Sequence, residues 1–190
     1  MIVRENEAIT LIGGAPVARA DLDAALRLAP VVVAADRGAD TALGAGITPR
    51  AVIGDFDSIS AQARARLPDD ILHPIDDQDT TDFEKCLARI GAPLLIGLGF
   101  TGARIDHHMA ACNALSRYAR QRCVLLGAED LMFLCPPVLS LPVEAGCRVS
   151  LFPMGAVEGA SDGLAWPIGG ISFAPDGRIG TSNRAVGPLN

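Results

Sequence analysis

The sequence predicts an α/β chain: an N-terminal parallel-sheet domain covered by helices, over residues 1–124, and a small antiparallel β domain over residues 125–190. Three observations predict it. Short apolar runs alternate with helical patterns over the first two-thirds, which is the order of strand–helix–strand units around a parallel sheet. Val31-Val32-Val33-Ala34-Ala35 is continuously apolar, as a strand buried on both faces must be. Near residue 121 the texture changes, and glycine and proline recur between short β-like runs with no further helix.

Element by element, Ala8 to Ile12 reads as a strand ending at Gly13-Gly14. Asp21 to Leu28 carries Leu22, Ala25 and Leu26 at helical spacing, with Asp21 as its cap. After the Val31 strand, Thr41 to Ala45 is a short helix closed by Gly46, and Ala51-Val52-Ile53 is a strand. Ser60 caps a helix to Leu67. Thr81 and Glu84 form a T-x-x-E capping box on a helix to Ile90, which Gly91 stops. Leu94 to Leu98 is a strand and Asp106 to Arg120 a long helix. Beyond them Arg148–Phe152, Gly170–Phe173 and Arg178–Thr181 are β-like.

Composition narrows the chemistry. Apolar residues make up 49% of the chain and charged ones 20%, which supports a packed core rather than a disordered chain. The net charge of -6 argues against a sequence-independent nucleic-acid binder, which needs a basic field. Any phosphate ligand would need local neutralisation, and a divalent metal held by carboxylates supplies it. Cysteines 86, 112, 123, 135 and 147 are odd in number, without a C-x-x-C, and read as free thiols. No run reaches the ~18 apolar residues of a membrane span, and the N-terminus has no secretory pattern, so the expected location is cytoplasmic.

Three acidic clusters stand at strand ends or helix starts: Ala35-Asp36-Arg37-Gly38-Ala39-Asp40, Gly54-Asp55-Phe56-Asp57-Ser58 and Asp77-Gln78-Asp79-Thr80-Thr81-Asp82. In a parallel sheet the loops at the carboxyl ends of strands line one edge, where ligands bind. Massed carboxylates repel one another unless a cation sits among them, and hard oxygen donors select magnesium. Asp55 and Asp57 flank Phe56, so alternation would aim both carboxylates at the edge while the ring packs inward. Asp40, Asp69, Asp70 and Asp76 read instead as turn and cap residues. Lys85 is the only lysine beside 15 arginines, on the helix face of Thr81 and Asp82; it is either an i,i+3 partner of Asp82 or an ammonium that touches a phosphate. Gly97 to Arg104 is a glycine-rich turn leading into a helix, an anion site in kind, and Arg104 adds a planar fork. No Walker G-x-x-x-x-G-K-[ST] exists. His107 and His108 read as cap or packing residues.

Together, A-D-R-G-A-D around Asp36, G-D-F-D-S at 54–58, D-Q-D-T-T-D-F-E-K-C-L at 77–87, G-A-R-I-D-H-H-M-A-A-C-N-A-L at 102–115, G-L-A-W at 163–166 and T-S-N at 181–183 resemble the thiamine pyrophosphokinase family, in its order. The resemblance implies an α/β ATP-binding domain, a β-sandwich-like second domain that takes thiamine, and a homodimer with sites at the subunit interface. It implies that Asp55, Asp57 and Asp79 hold magnesium and the nucleotide's phosphates, and that Asp57, Asp79, Asp82 and Lys85 act on the transferred group. Asp36, Ser58, Thr81, Thr101 and Arg104 would seat ATP, with Asp106 and Asn113 supporting them. Trp166 would stack on thiamine beside Ser182 and Asn183. The family usually has glycine where Arg37 stands, and it continues past the T-S-N strand with further β structure. The implied reaction moves a diphosphate from ATP to thiamine and releases AMP. Another magnesium-dependent phosphotransferase or phosphohydrolase, or a catalytically silent thiamine or nucleotide sensor, could use the same residues. No nucleic-acid or membrane partner is expected.

Overall fold

In a computed structural model the chain is described over residues 1–187 and divides into two compact units, Met1–Leu134 and a second beginning at Cys135. The seam falls ten residues beyond the expected 124/125, because two further strands after residue 122 join the first unit's sheet.

The first unit contains, in chain order, β1 (Val3–Arg4), β2 (Ile9–Ile12), α1 (Arg19–Leu28), β3 (Val31–Ala35), α2 (Gly38–Gly44), β4 (Ala51–Gly54), α3 (Ala61–Arg66), β5 (Leu72–Pro74), α4 (Asp82–Arg89), β6 (Ile90–Gly91), β7 (Leu95–Leu98), α5 (Ile105–Arg117), β8 (Cys123–Leu126) and β9 (Leu131–Phe133). Seven strands form the main sheet in the order β5-β4-β3-β2-β7-β8-β9, all neighbours parallel except the β8–β9 hairpin. Chain order runs outward from β2 to β5, then jumps back across the sheet to β7. The carboxyl ends of β2 and β7 therefore form a topological switch point, where parallel sheets open a crevice.

Period-two alternation splits the core into two layers. Ile9, Leu11, Val33, Ala35, Ala51, Ile53, Leu95 and Leu125 pack with Phe83, Cys86, Leu87, Ala111, Ala114 and Leu115 of α4 and α5. The intervening strand residues face α1, α2 and α3: Ile12, Val32, Ile96 and Leu98 with Leu22 and Ala25, and Ala34 and Val52 with Ala39, Leu43 and Ala63. Thr10, the polar exception within β2, is buried and donates its hydroxyl to the Ala29 carbonyl at 2.7 Å.

Local chemistry sets the helix ends. Ser60 accepts from Ala63 N at 3.0 Å, and both bonds of the Thr81/Glu84 capping box form. Glu84 also pairs with Arg117, tying α4 to α5. Four expectations are corrected. Helix α1 starts at Arg19 behind Ala18, which makes no side-chain cap, so Asp21 lies in the first turn. Helix α2 begins at Gly38 rather than Thr41, and α5 ends at Arg117 rather than Arg120. Helix α4 stops at Arg89, not at Gly91, because Ile90 turns extended and pairs with β1.

The second unit carries β10 (Arg148–Leu151) and β11 (Gly180–Arg184), an antiparallel pair, with antiparallel bridges Val157–Phe173 and Leu164–Ala185. A small core of Leu164 and Ala185 packs with Leu141, Val143, Val149 and Ile168.

Candidate active site

Five segments meet at the carboxyl edge of the first unit's sheet: Gly13-Gly14 after β2, Asp36-Arg37 after β3, Asp55–Ser58 after β4, Thr80–Lys85 entering α4, and Gly99–Arg104 between β7 and α5. All five contribute to the lining of a cleft of about 810 Å³, although Gly13 and the buried Asp36, the latter expected to seat ATP, are not themselves lining residues. At its base the backbones of the β2 and β7 loops touch, with Ala15 N donating to the Gly99 carbonyl at 2.9 Å. Gly99 has φ of +73°, and a Cβ there would lie 2.8 Å from two carbonyl oxygens, so only glycine fits.

Asp36 is the most constrained acid. It is 1% exposed, sits at φ 41°, and takes Ser58 N on Oδ2 at 3.3 Å, while buried Oδ1 has no partner among the described residues. Its room comes from Gly54, where a Cβ would meet Asp36 Cβ at 2.8 Å and Asp82 Oδ1 at 3.2 Å. Asp36, Asp55 and Asp57 each offer a carboxylate oxygen within 4.8 Å of the others. Burial raises the Asp36 carboxyl above its ordinary value, against the lowering bonds from Ser58, and the Asp82 charge adds to the rise.

The 54–58 loop converges by a turn rather than by strand alternation. Phe56 takes φ 64°, Asp57 N donates to Asp55 Oδ1 at 3.3 Å, and the Phe56 ring packs beside the α2–α3 core with Arg64 over its face. Both carboxylates reach the edge, by a left-handed bend that alternation does not supply.

Lys85 is buried, at 2% exposure, and its Nζ donates to Asp55 Oδ2 at 2.6 Å and Asp82 Oδ1 at 3.2 Å. Burial opposes its charge most strongly, but the two carboxylates together outweigh burial and hold the ammonium above its usual value. The bond from Lys85 lowers Asp55. Asp82 is raised instead, because burial exceeds the help from Lys85. One edge thus carries a carboxyl held ionised and two pushed toward neutrality, a separation that marks acid–base and metal sites. Asp36 Oδ1, buried and unpartnered beside two more carboxylates, fits a small hard cation.

The thiamin pyrophosphokinase catalytic-domain family matches residues 22–126, more than half of the chain and most of this sheet. The chain belongs to that family. Its similar relatives include thiamine pyrophosphokinase 1 of Oryza sativa subsp. japonica, 32% identical over 154 residues, and thiamine pyrophosphokinase 1 of Arabidopsis thaliana, 29% identical. Each match takes in 71% of this chain and spans 58% of the relative's length. Among solved structures, the thiamin pyrophosphokinase of Geobacillus thermodenitrificans aligns with TM-score 0.78 and 24% identity, covering 96% of this chain and 94% of that one. The Candida albicans thiamin pyrophosphokinase aligns with TM-score 0.81 and 17% identity, covering 98% and 87%. At these identities the structural matches establish the shared fold: a mostly parallel α/β sheet with a separate antiparallel β region.

Within this family member, Asp55, Asp57, Ser58, Thr81, Asp82, Lys85, Thr101 and Arg104 all line the cleft. Asp79 does not join the three-carboxylate group; Asp36 stands there instead. Asp79 is exposed, and its backbone N–H donates to Asp77 Oδ1 at 2.9 Å, with Thr80 bonded to the other Asp77 oxygen. Asp77 therefore shapes the loop, a role that the D-Q-D spacing left open. Asp106 is held by Arg104 at 2.6 Å and pulled down to about 2, and Asn113 is exposed on α5; neither lines the cleft. His107 does line it. Asp40 accepts from Ser60 N at 3.1 Å, the turn role expected of it.

In the second unit, Asn183 is buried and fixes the Trp166 segment: Trp166 N donates to Asn183 Oδ1 at 3.2 Å, and Asn183 Nδ2 donates to the Trp166 carbonyl at 2.7 Å. The Trp166 ring is 59% exposed, with the Arg184 guanidinium 5.7 Å from its centroid. Ser182 is exposed at φ 60°, its N–H bonded to Ser150 Oγ. The Asn183 side chain, expected beside thiamine, makes backbone bonds that position Trp166.

Proposed function

We propose that the chain is a magnesium-dependent thiamine pyrophosphokinase, which transfers the diphosphate of ATP to the hydroxyl of thiamine and releases AMP. The observation that carries this reading is the edge itself: a three-carboxylate group beside a buried lysine, in a cleft of nucleotide size, on the fold of this family. Magnesium, held by Asp36, Asp55 and Asp57, would neutralise phosphate charge and align the β-phosphorus for in-line attack.

The chain's own residues do the rest. Lys85 has three N–H donors and spends two on Asp55 and Asp82, which leaves one for a β-phosphate oxygen. Asp82, already raised toward neutrality, takes the proton of thiamine's hydroxyl as the new O–P bond forms. The bond from the β-phosphorus to the α-bridging oxygen breaks, and AMP departs with that oxygen. The Gly99–Arg104 loop, with Thr101 and Arg104, borders the nucleotide's part of the cleft. Thiamine's ring stacks on Trp166, flanked by Ser182, with Asn183 holding the tryptophan segment in place. In this proposal the enzyme is a cytoplasmic homodimer whose sites are completed across the subunit interface.

The test is product identity after incubation with ATP, magnesium and thiamine. AMP together with thiamine diphosphate supports the proposal. ADP or inorganic phosphate would assign the edge to another phosphotransferase or a phosphohydrolase, and absence of turnover to a silent binder.

A further inference from the structure

Three carboxylates (Asp55, Asp57, Asp82) and three cations (Arg37, Lys85, Arg104) line the cleft, and buried Asp36 lies beside Asp55 and Asp57. Two of the cations are already spoken for. Lys85 is held between Asp55 and Asp82, and Arg104 is bonded through Nε and Nη2 to both oxygens of Asp106. Arg37 differs: among the described residues no carboxylate pairs with it. Its chain lies along the β2 turn, with Cβ, Cγ and Cδ within 4.0 Å of the space a side chain at Gly14 would take. The stem thus lies beside the β2 turn while the residue remains exposed and lines the cleft.

A nucleoside triphosphate brings more negative charge than one divalent ion cancels, and it enters an edge already rich in carboxylates. A guanidinium that need break no internal ion pair is the least costly counter-charge there, and its planar fork matches phosphate oxygens. We infer that Arg37 is a positioning residue for the polyphosphate of the nucleotide, the uncommitted cation of the cleft. This rests on the ATP reading above and extends it to a residue outside the carboxylate–lysine group.

The experiment is calorimetric binding of α,β-methylene-ATP with magnesium, and of adenosine, to the full chain and to Arg37→Ala and Arg37→Lys. The expected result is a Kd for the triphosphate weakened by about tenfold or more in Arg37→Ala, from loss of a charge-assisted contact, with adenosine binding unchanged. Arg37→Lys, which keeps charge but loses the fork, falls between. Equal triphosphate affinity in the wild type and Arg37→Ala overturns the inference alone, as does an equal loss for adenosine, which would make the role structural. If the wild type binds no triphosphate, the ATP reading itself fails and the inference falls with it. Thermal melts that match across the three proteins exclude misfolding; if Arg37→Ala melts early, the comparison of Arg37→Lys with wild type decides.

Discussion

Replacing Asp36 with asparagine should reverse sign depending on whether metal is present. The carboxylate is buried, carries one unpartnered oxygen and faces the Asp82 charge. Asparagine has the same shape and tolerates the left-handed φ of 41°, so the change removes charge without adding backbone strain. Its amide can donate toward the neighbouring carboxylates Asp55 and Asp57. Relief of a buried, unsatisfied charged oxygen is worth about 1 kcal/mol or more. For a chain of 190 residues, 1 kcal/mol moves Tm by roughly 2–4 °C. In EDTA, then, Asp36→Asn should melt roughly 2–4 °C above wild type. With magnesium at about 100 times its Kd, the wild type gains about 2.7 kcal/mol, or roughly 5–10 °C, from ligand linkage. The variant forfeits most of that gain and melts below wild type. The pH dependence has the same origin. A carboxyl whose folded value is raised destabilises the native state at neutral pH, and the penalty fades as pH falls through that raised value. Metal-free wild type should therefore gain stability on mild acidification, and Asp36→Asn should gain less. Melting curves in EDTA and in magnesium, from pH 7 downward, test this. An asparagine variant less stable in EDTA, or one that keeps the full magnesium shift, refutes the reasoning.

Further outcomes follow from the same geometry. Asp57→Asn should lower turnover at least about a hundredfold with the fold intact, because an exposed loop carboxylate contributes charge rather than packing; circular dichroism and product assays check both halves. Lys85→Arg should impair activity despite keeping charge, since a planar fork cannot replace an ammonium at 2% exposure between two carboxylates, and Lys85→Met should cost about 1–3 kcal/mol in denaturant unfolding by removing the shared cation of two partly exposed carboxylates. Cys135 and Cys147 are exposed and should react with a thiol reagent in the native protein; Cys123, pushed up to about 12 by burial, and buried Cys86 should react only after unfolding. Thiamine should quench Trp166 fluorescence without ATP, and mixed Asp57→Asn and Trp166→Ala subunits should recover about a quarter of wild-type activity if each site uses both chains; no recovery would confine the site to one subunit.

Much of this was legible in sequence because it rests on local chemistry. The Thr81/Glu84 box, the Ser60 cap and the apolar run at Val31 need only neighbouring residues to act. The G-D-F-D-S string likewise announced its carboxylates. What stayed hidden depends on register. Asp36 becomes buried because its N–H bonds the Ile53 carbonyl and Gly54 leaves space beside it, neither of which spacing reveals. Lys85 was ambiguous because its second partner, Asp55, lies thirty residues away. Strands β1 and β5 are two and three residues long, below the length at which a pattern declares itself, and β5 ends in a proline at the sheet's edge.

The two-layer packing of the sheet has a consequence for how this chain can change in length. In β4, Ala51 and Ile53 face α4 and α5 while Val52 faces α2 and α3, and Asp55 follows immediately. Strand length is in effect a ruler graduated in single residues, and the zero mark is the first acidic side chain beyond it. One inserted residue would exchange the faces of the strand and carry Asp55 and Asp57 off their marks together. The same insertion in the exposed Asp69–Asp70 stretch, upstream of the edge strand, meets no such gauge. Length is therefore free to vary in the outer connections of this scaffold, whereas the interval from Ala51 to Asp57 must stay fixed for both carboxylates to reach the edge.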